Sequence, residues 1–182
     1  MIYDIFSIGI SVFNLEKNLN NKDMVKYARK TSKVNGNKED KDILSNNIFG
    51  HLNHIVKEKM EEYCKSTFNK DHKINLFQAW SNLGDDNYIT IPHTHNDAIV
   101  SAVYYPYAVD GEIIFLNPGG TSTLSQNKAW MIGEYNKYTY EYFSVEARTG
   151  TLVIFNSMLQ HMVRCKDPNR VSIAYNGYPI RT

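Results

Sequence analysis

The spacing of apolar and polar positions changes rhythm near residue 73. Residues 1–13 are mostly apolar, broken by Asp4 and Ser7, and predict a strand. Asp23 to Lys33 predicts a short helix. The polar stretch from Thr31 to Asp42, with Asn35-Gly36-Asn37 as a turn signal, predicts a loop. Across 41–66, Leu44, Ile48, Leu52, Ile55, Val56, Met60 and Tyr63 recur mostly at steps of three and four, one face of a longer helix. From residue 73 onward, short runs rich in Val, Ile, Tyr and Phe alternate with Gly, Pro, Asn and Asp. They predict strands at 73–82, 87–95, 98–106, 111–116, 137–145, 151–156, 160–164 and 170–178. Many short strands between turn signals mean a sandwich or barrel rather than βαβ units. Helices first and strands after predict a mainly β chain with N-terminal helices, a jelly roll propped by a helical layer. The expected layout is one structural domain, 1–182. Within it, 1–72 is an N-terminal strand and helical support layer, and 73–182 is the jelly-roll core.

Composition narrows the function classes. A chain of 182 residues hides about 70% of its unfolded surface without staples. The net charge of +1 advertises neither nucleic acid nor a membrane surface as partner. Basic Lys26-Tyr27-Ala28-Arg29-Lys30 and acidic Glu39-Asp40-Lys41-Asp42 read as solvated faces. Cys64 and Cys165 match no metal or redox spacing and are expected to be free thiols. The apolar N-terminus lacks a basic leading segment and a small-residue cleavage site, and no run approaches the roughly 18 apolar residues of a membrane span. A soluble, cytoplasmic protein is the expectation.

Histidine carries the candidate chemistry. His51 and His54 flank the apolar stripe of the long predicted helix, and His72 sits in a polar turn; all three read as boundary or surface residues. Pro92-His93-Thr94-His95-Asn96-Asp97 falls between two predicted strands, and His161 follows the strand Leu152–Phe155. In an extended segment, residues i and i+2 face the same way, so His93 and His95 can reach one ion together. His161 then closes a facial triad with open positions, and imidazole suits iron, zinc or copper. Nine residues further, Arg170 opens the strand Arg170-Val171-Ser172-Ile173-Ala174-Tyr175-Asn176 and offers a planar fork that matches a carboxylate.

These residues carry a resemblance. Residues 78–182 resemble the 2-oxoglutarate–Fe(II) oxygenase superfamily, nearest to an uncharacterised branch seen in marine bacteria and phages. One block resembles H-x-H-P-x-S-x-x-S-G-V-Y-Y and here runs from His93 and His95 through Ser101 and Ala102 to Tyr104 and Tyr105. A second resembles G-x-L-v-l-F-P-S-x-L-x-H-x-V followed by R-x-S-I-a-x-N. Here it runs from Gly150 through Phe155, Ser157, Leu159 and His161 to Val163, then from Arg170 through Ser172 to Asn176. The departures are Asn96 for proline, Ala98 for serine, Ala102 for glycine and Asn156 for proline. The resemblance implies a double-stranded β-helix, with Fe(II) at His93, His95 and His161. It further implies 2-oxoglutarate with its distal carboxylate on Arg170 beside Ser172, and hydroxylation of a small-molecule or peptidyl substrate with release of succinate and CO2. Asn82 and Asn176 are candidates to line the cavity or to satisfy buried backbone.

Four alternatives stay open at this point. Most of the superfamily uses His-x-Asp, and His95-Asn96-Asp97 also has that form. Three successive i+2 positions span roughly 13 Å of extended chain, so an ion takes either His93/His95 or His95/Asp97. Asn-Asp is a turn signal, which favours the histidine pair. Residues 117–142 form either a lid or an extra strand that buries one face of Tyr138, Tyr140 and Tyr142. A cupin-like metal enzyme without 2-oxoglutarate would carry a glutamate four or five residues after His-x-His, where Ile99 and Val100 stand. A non-enzymatic jelly-roll module would make the Arg170 spacing a coincidence.

Overall fold

The computed structural model describes residues 7–15, 19–32, 43–119, 134 and 139–180. Two antiparallel sheets face each other. The larger has the order β1-β7-β4-β9-β2, from Ile10–Asn14, Thr151–Asn156, Val100–Tyr107, Val171–Pro179 and Ile74–Leu83. The smaller has the order β3-β8-β5-β6, from Tyr88–Ile89, His161–Cys165, Glu112–Leu116 and Tyr142–Glu146. This is the jelly-roll arrangement that the strand rhythm predicts.

The register shows why the larger sheet is apolar on both faces. Ala102 pairs with Tyr175, and Tyr104 with Ile173; these face the helices, together with Leu152 and Ile154. Alternate residues Val103, Tyr105, Val153 and Phe155 face the smaller sheet and meet Ile113 and Phe115. Two helices cover the outer face, α1 at Asn21–Thr31 and α2 at Gly50–Phe68. Met24 and Ala28 lie four apart on α1, and Leu52, Val56, Met60 and Tyr63 form the buried stripe of α2. Each such large apolar side chain contributes about 1.5–3 kcal/mol by leaving water. Polar tips fix where the helices sit: Tyr104 Oη donates to Asn21 Oδ1 at 2.7 Å, and Tyr175 Oη to Asn53 Oδ1 at 2.9 Å.

Several boundaries differ from expectation. The long helix starts at Gly50 rather than near 41, because asparagines there bind backbone. Asn53 Nδ2 donates to the Ile43 and Leu44 carbonyls at 3.0 and 3.4 Å, and Asn46 Oδ1 accepts from Ile48 N at 2.9 Å. The strand predicted over 87–95 shrinks to Tyr88–Ile89, since Pro92 has no N–H to give a ladder. The strand predicted over 137–145 is Tyr142–Glu146, and Tyr140 and Tyr142 are exposed rather than buried on one face. Of the loop predicted over 31–42, Thr31 still belongs to α1 and 33–42 lie outside the described residues; of the segment 117–142, where a lid is the alternative, 120–133 and 135–138 lie outside them. No helix among the described residues is long and apolar enough to cross a membrane.

Candidate metal centre

His93, His95 and His161 come together at one end of the space between the sheets. Their candidate ligand atoms all lie within 4.8 Å of one another. His161 is the first residue of β8 and is 3% exposed. His93 lies outside a strand, yet a single bridge ties it to His161, each N–H donating to the other's carbonyl at 2.9 and 3.0 Å. His95 is held in turn, its N–H donating to the Ser157 carbonyl at 2.9 Å. Backbone pairing between segments distant in sequence therefore replaces the regular strand that the sequence suggests.

The three rings share a hydrogen-bonding pattern. His93 Nδ1 faces the Ile91 carbonyl and His161 Nδ1 faces the Leu159 carbonyl, both at 2.9 Å. A carbonyl only accepts, so the ring proton sits on Nδ1 and the Nε2 lone pair is free. His95 Nδ1 lies 2.7 Å from Asn176 Oδ1, which leaves its Nε2 free as well. Burial pushes the His161 pKa down to about 3, with His93 and His95 adding to the shift and the Leu159 bond opposing it. His95 is lowered by burial too. Neutral imidazoles with free Nε2 atoms are the form a metal ion takes up. Asp97 is exposed in the Asn96–Asp97 turn and stands outside the cluster. His51 and His54 are exposed, and His72 packs edge-on against Phe68.

The same cavity is lined by Arg170, Ser172, Tyr105 and Asn82. Arg170 is 4% exposed, and its Nε and Nη1 have no hydrogen-bond partner among the described residues; neither does Tyr105 Oη. The nearest acid in sequence does not relieve the guanidinium. Asp167 accepts from Val109 N at 3.1 Å and from Asn169 N at 2.8 Å instead. Burial pushes the Tyr105 phenol up to about 12, against the pull of Arg170, so it stays a neutral donor. Donors left unmade in a buried cavity cost about 1–3 kcal/mol each, and they are satisfied when an anion enters. Three imidazole nitrogens and, lining the same cavity, a guanidinium with two unpartnered nitrogens and a phenol have the chemistry that a metal ion with a short diacid calls for.

A family model described as "Putative 2OG-Fe(II) oxygenase" matches residues 78–176. The chain belongs to the 2-oxoglutarate–Fe(II) oxygenases. Iron(II) and 2-oxoglutarate are the cofactors of this oxygenase, as the resemblance implies. No curated protein matches the chain. Among solved structures, a Pseudomonas putida prolyl-4-hydroxylase aligns with a TM-score of 0.60 at 13% identity, covering 97% of this chain and 95% of its own. HygX from Streptomyces hygroscopicus, with nickel and 2-oxoglutarate bound, aligns at 0.58 and 12% identity, covering 93% and 82%. The α-ketoglutarate-dependent epimerase SnoN from nogalamycin biosynthesis aligns at 0.57 and 13%, covering 92% and 77%. At such identities these likenesses show the fold.

Sequence reasoning missed part of the oxygenase's polar interior. Asn176 does not face open cavity; it holds His95, and Ser101, Ser157 and Gln78 join it. Ser101 and Ser157 stand in the two quoted blocks without an assigned role, and their complete burial was not legible there. Tyr105 ends the first block, and its strand alternation with Val103 was the signal that it faces inward.

Proposed function

We propose that His93, His95 and His161 hold iron(II) through their Nε2 atoms and that Arg170 receives the distal carboxylate of 2-oxoglutarate. Ser172 and Tyr105 stand beside Arg170 as hydroxyl donors, and the product is a hydroxylated small molecule or peptidyl side chain. The observation that carries this reading is the buried guanidinium with two unpartnered nitrogens, lining the same cavity as three metal-ready imidazoles. When bound, iron(II) supplies the redox chemistry that couples 2-oxoglutarate decarboxylation to oxidation of a substrate C–H bond, giving succinate and CO2. The chain's own part is placement. Carbonyls at Ile91 and Leu159 keep the Nδ1 protons of two ligands, and Asn176 keeps the third. Phe155 packs edge-on against His161 at 4.7 Å, and Trp80 lies 5.6 Å from His95. These rings restrict water and rotation around two of the three imidazoles.

The test is turnover. Iron-loaded protein given 2-oxoglutarate and oxygen should release succinate slowly without any substrate, and His161→Ala should release none. With a true substrate, succinate should rise and the product should gain one oxygen from O2. Succinate formed together with a product of unchanged mass would replace hydroxylation by epimerisation, the reaction of SnoN. No succinate from the wild type under any condition would end the oxygenase assignment of this site.

A further inference from the structure

We infer that Asn176 selects the metal-binding tautomer of His95, and that Gln78, holding the amide nitrogen, favours the orientation in which Asn176 Oδ1 faces the ring. This rests on reading the three histidines as ligands. His93 and His161 owe their tautomers to main-chain carbonyls two residues earlier, which can present nothing but an acceptor. His95 differs, because its Nδ1 partner is a side-chain amide with an accepting and a donating end.

Asn176 is 4% exposed. Its Oδ1 uses both lone pairs, one on His95 Nδ1 at 2.7 Å and one on the Ser101 hydroxyl at 2.8 Å. Ser101 Oγ lies 2.8 Å from Ser157 Oγ and 3.1 Å from His95 Nδ1, and both serines are fully buried. The amide nitrogen donates to Gln78 Oε1 at 2.7 Å, from the position directly opposite on β2. Asn176 Oδ1 and Nδ2, Gln78 Oε1 and the two serine hydroxyls are all engaged in that one orientation.

Turned by half a revolution, the Asn176 amide would present N–H to His95 Nδ1. The ring proton would move to Nε2, and the lone pair that faces the other two histidines would be gone. The serines do not prevent this, since a hydroxyl can reverse its donor direction. The Gln78 carbonyl opposes it in the orientation found, since it accepts from the amide nitrogen and would meet the amide oxygen unless Gln78 turned as well. Asn176 and Gln78 are therefore positioning residues that act through His95.

Two substitutions separate this role from packing. Asn176→Asp keeps an acceptor against His95 Nδ1, and Gln78 can turn to donate to the second carboxylate oxygen. Asn176→Leu keeps volume and removes the acceptor. Long-range proton–nitrogen correlations of the imidazoles in the metal-free full chain read the His95 tautomer directly. Wild type and Asn176→Asp should show Nδ1–H, and Asn176→Leu and Gln78→Leu a mixture. Cobalt(II) titration followed by visible absorption should give Asn176→Asp within about threefold of wild type and Asn176→Leu about 10–100-fold weaker. If Asn176→Leu does not fold, Gln78→Leu on the half-buried side carries the same test, with a several-fold loss expected. The inference is overturned if both leucine variants keep Nδ1–H on His95, or if Asn176→Asp binds cobalt(II) as weakly as Asn176→Leu. Wild-type protein that shows Nδ1–H yet binds no cobalt(II) would remove the ligand reading and leave the tautomer assignment standing.

Discussion

Replacing Arg170 by methionine should make the metal-free protein more stable while removing its hold on 2-oxoglutarate. Arg170 is 4% exposed, and its Nε and Nη1 lack partners among the described residues. An unmade hydrogen bond at a buried donor costs about 1–3 kcal/mol. A buried unpaired charge adds to that, while water entering the cavity relieves part of it. Methionine keeps most of the aliphatic packing and leaves no donor unmet. The net gain should be about 2 kcal/mol, which for a domain of this size raises Tm by roughly 4–8 °C. Loss of two charge-assisted hydrogen bonds, about 1.5–3 kcal/mol each, should weaken 2-oxoglutarate binding to the iron form by about 10²–10⁴-fold. Thermal melts of the metal-free pair and calorimetric titration of the iron-loaded pair give both numbers. A metal-free variant that melts lower than wild type by a similar margin would mean that the guanidinium is satisfied in the native state. Its lack of partners could then not be attributed to a waiting carboxylate.

Three further outcomes follow from the geometry. Asp97→Asn should leave iron affinity nearly intact and His93→Ala should remove most of it; the opposite pattern in a metal titration would move the ligand set to His95/Asp97. Metal-free stability should fall on acidification because His161 has a folded pKa of about 3, below its ordinary 6.5. Above pH 6.5 both states are neutral; between 6.5 and 3 the unfolded chain gains a proton that the folded one refuses. The loss should reach about 2–3 kcal/mol at pH 4.5, and urea melts of His161→Phe over the same range should lack that component. Gly84→Ala sets a Cβ 2.3 Å from the Asp167 carbonyl oxygen and 2.9 Å from Arg170 Cβ. It should destabilise by about 1–3 kcal/mol and weaken 2-oxoglutarate more than metal, and equal affinity for 2-oxoglutarate would show that the 167–170 turn does not position Arg170.

The parts of the site that were legible in the sequence are those set by local spacing. His93 and His95 two apart, and Arg170 and Ser172 two apart, needed only an extended backbone; β9 continues it for the second pair, while pairing with His161 and Ser157 holds the first pair outside any strand. The helix start at Gly50 was hidden because Asn46 and Asn53 divert backbone groups that the apolar spacing of Leu44 and Ile48 counts as helical. The His95 support was hidden for a different reason. Gln78, Ser101, Ser157 and Asn176 come from four separate segments, and only the pairing of β2, β4 and β9 brings three of them into line. Tyr140 and Tyr142 alternate as a half-buried strand would, yet Tyr140 precedes β6 and Tyr142 opens this edge strand, and both are exposed.

Isothermal titration of 2-oxoglutarate into the anaerobic iron(II) protein decides whether one cavity holds both the metal and the diacid. Wild type should bind one equivalent, and the metal-free protein should bind far more weakly, because one end of the ligand then has nothing to chelate. Arg170→Lys should lose most of the affinity and keep its iron, since a single ammonium cannot replace the planar fork. No heat of binding in the wild-type iron protein, or undiminished binding by Arg170→Lys, would contradict the site described here.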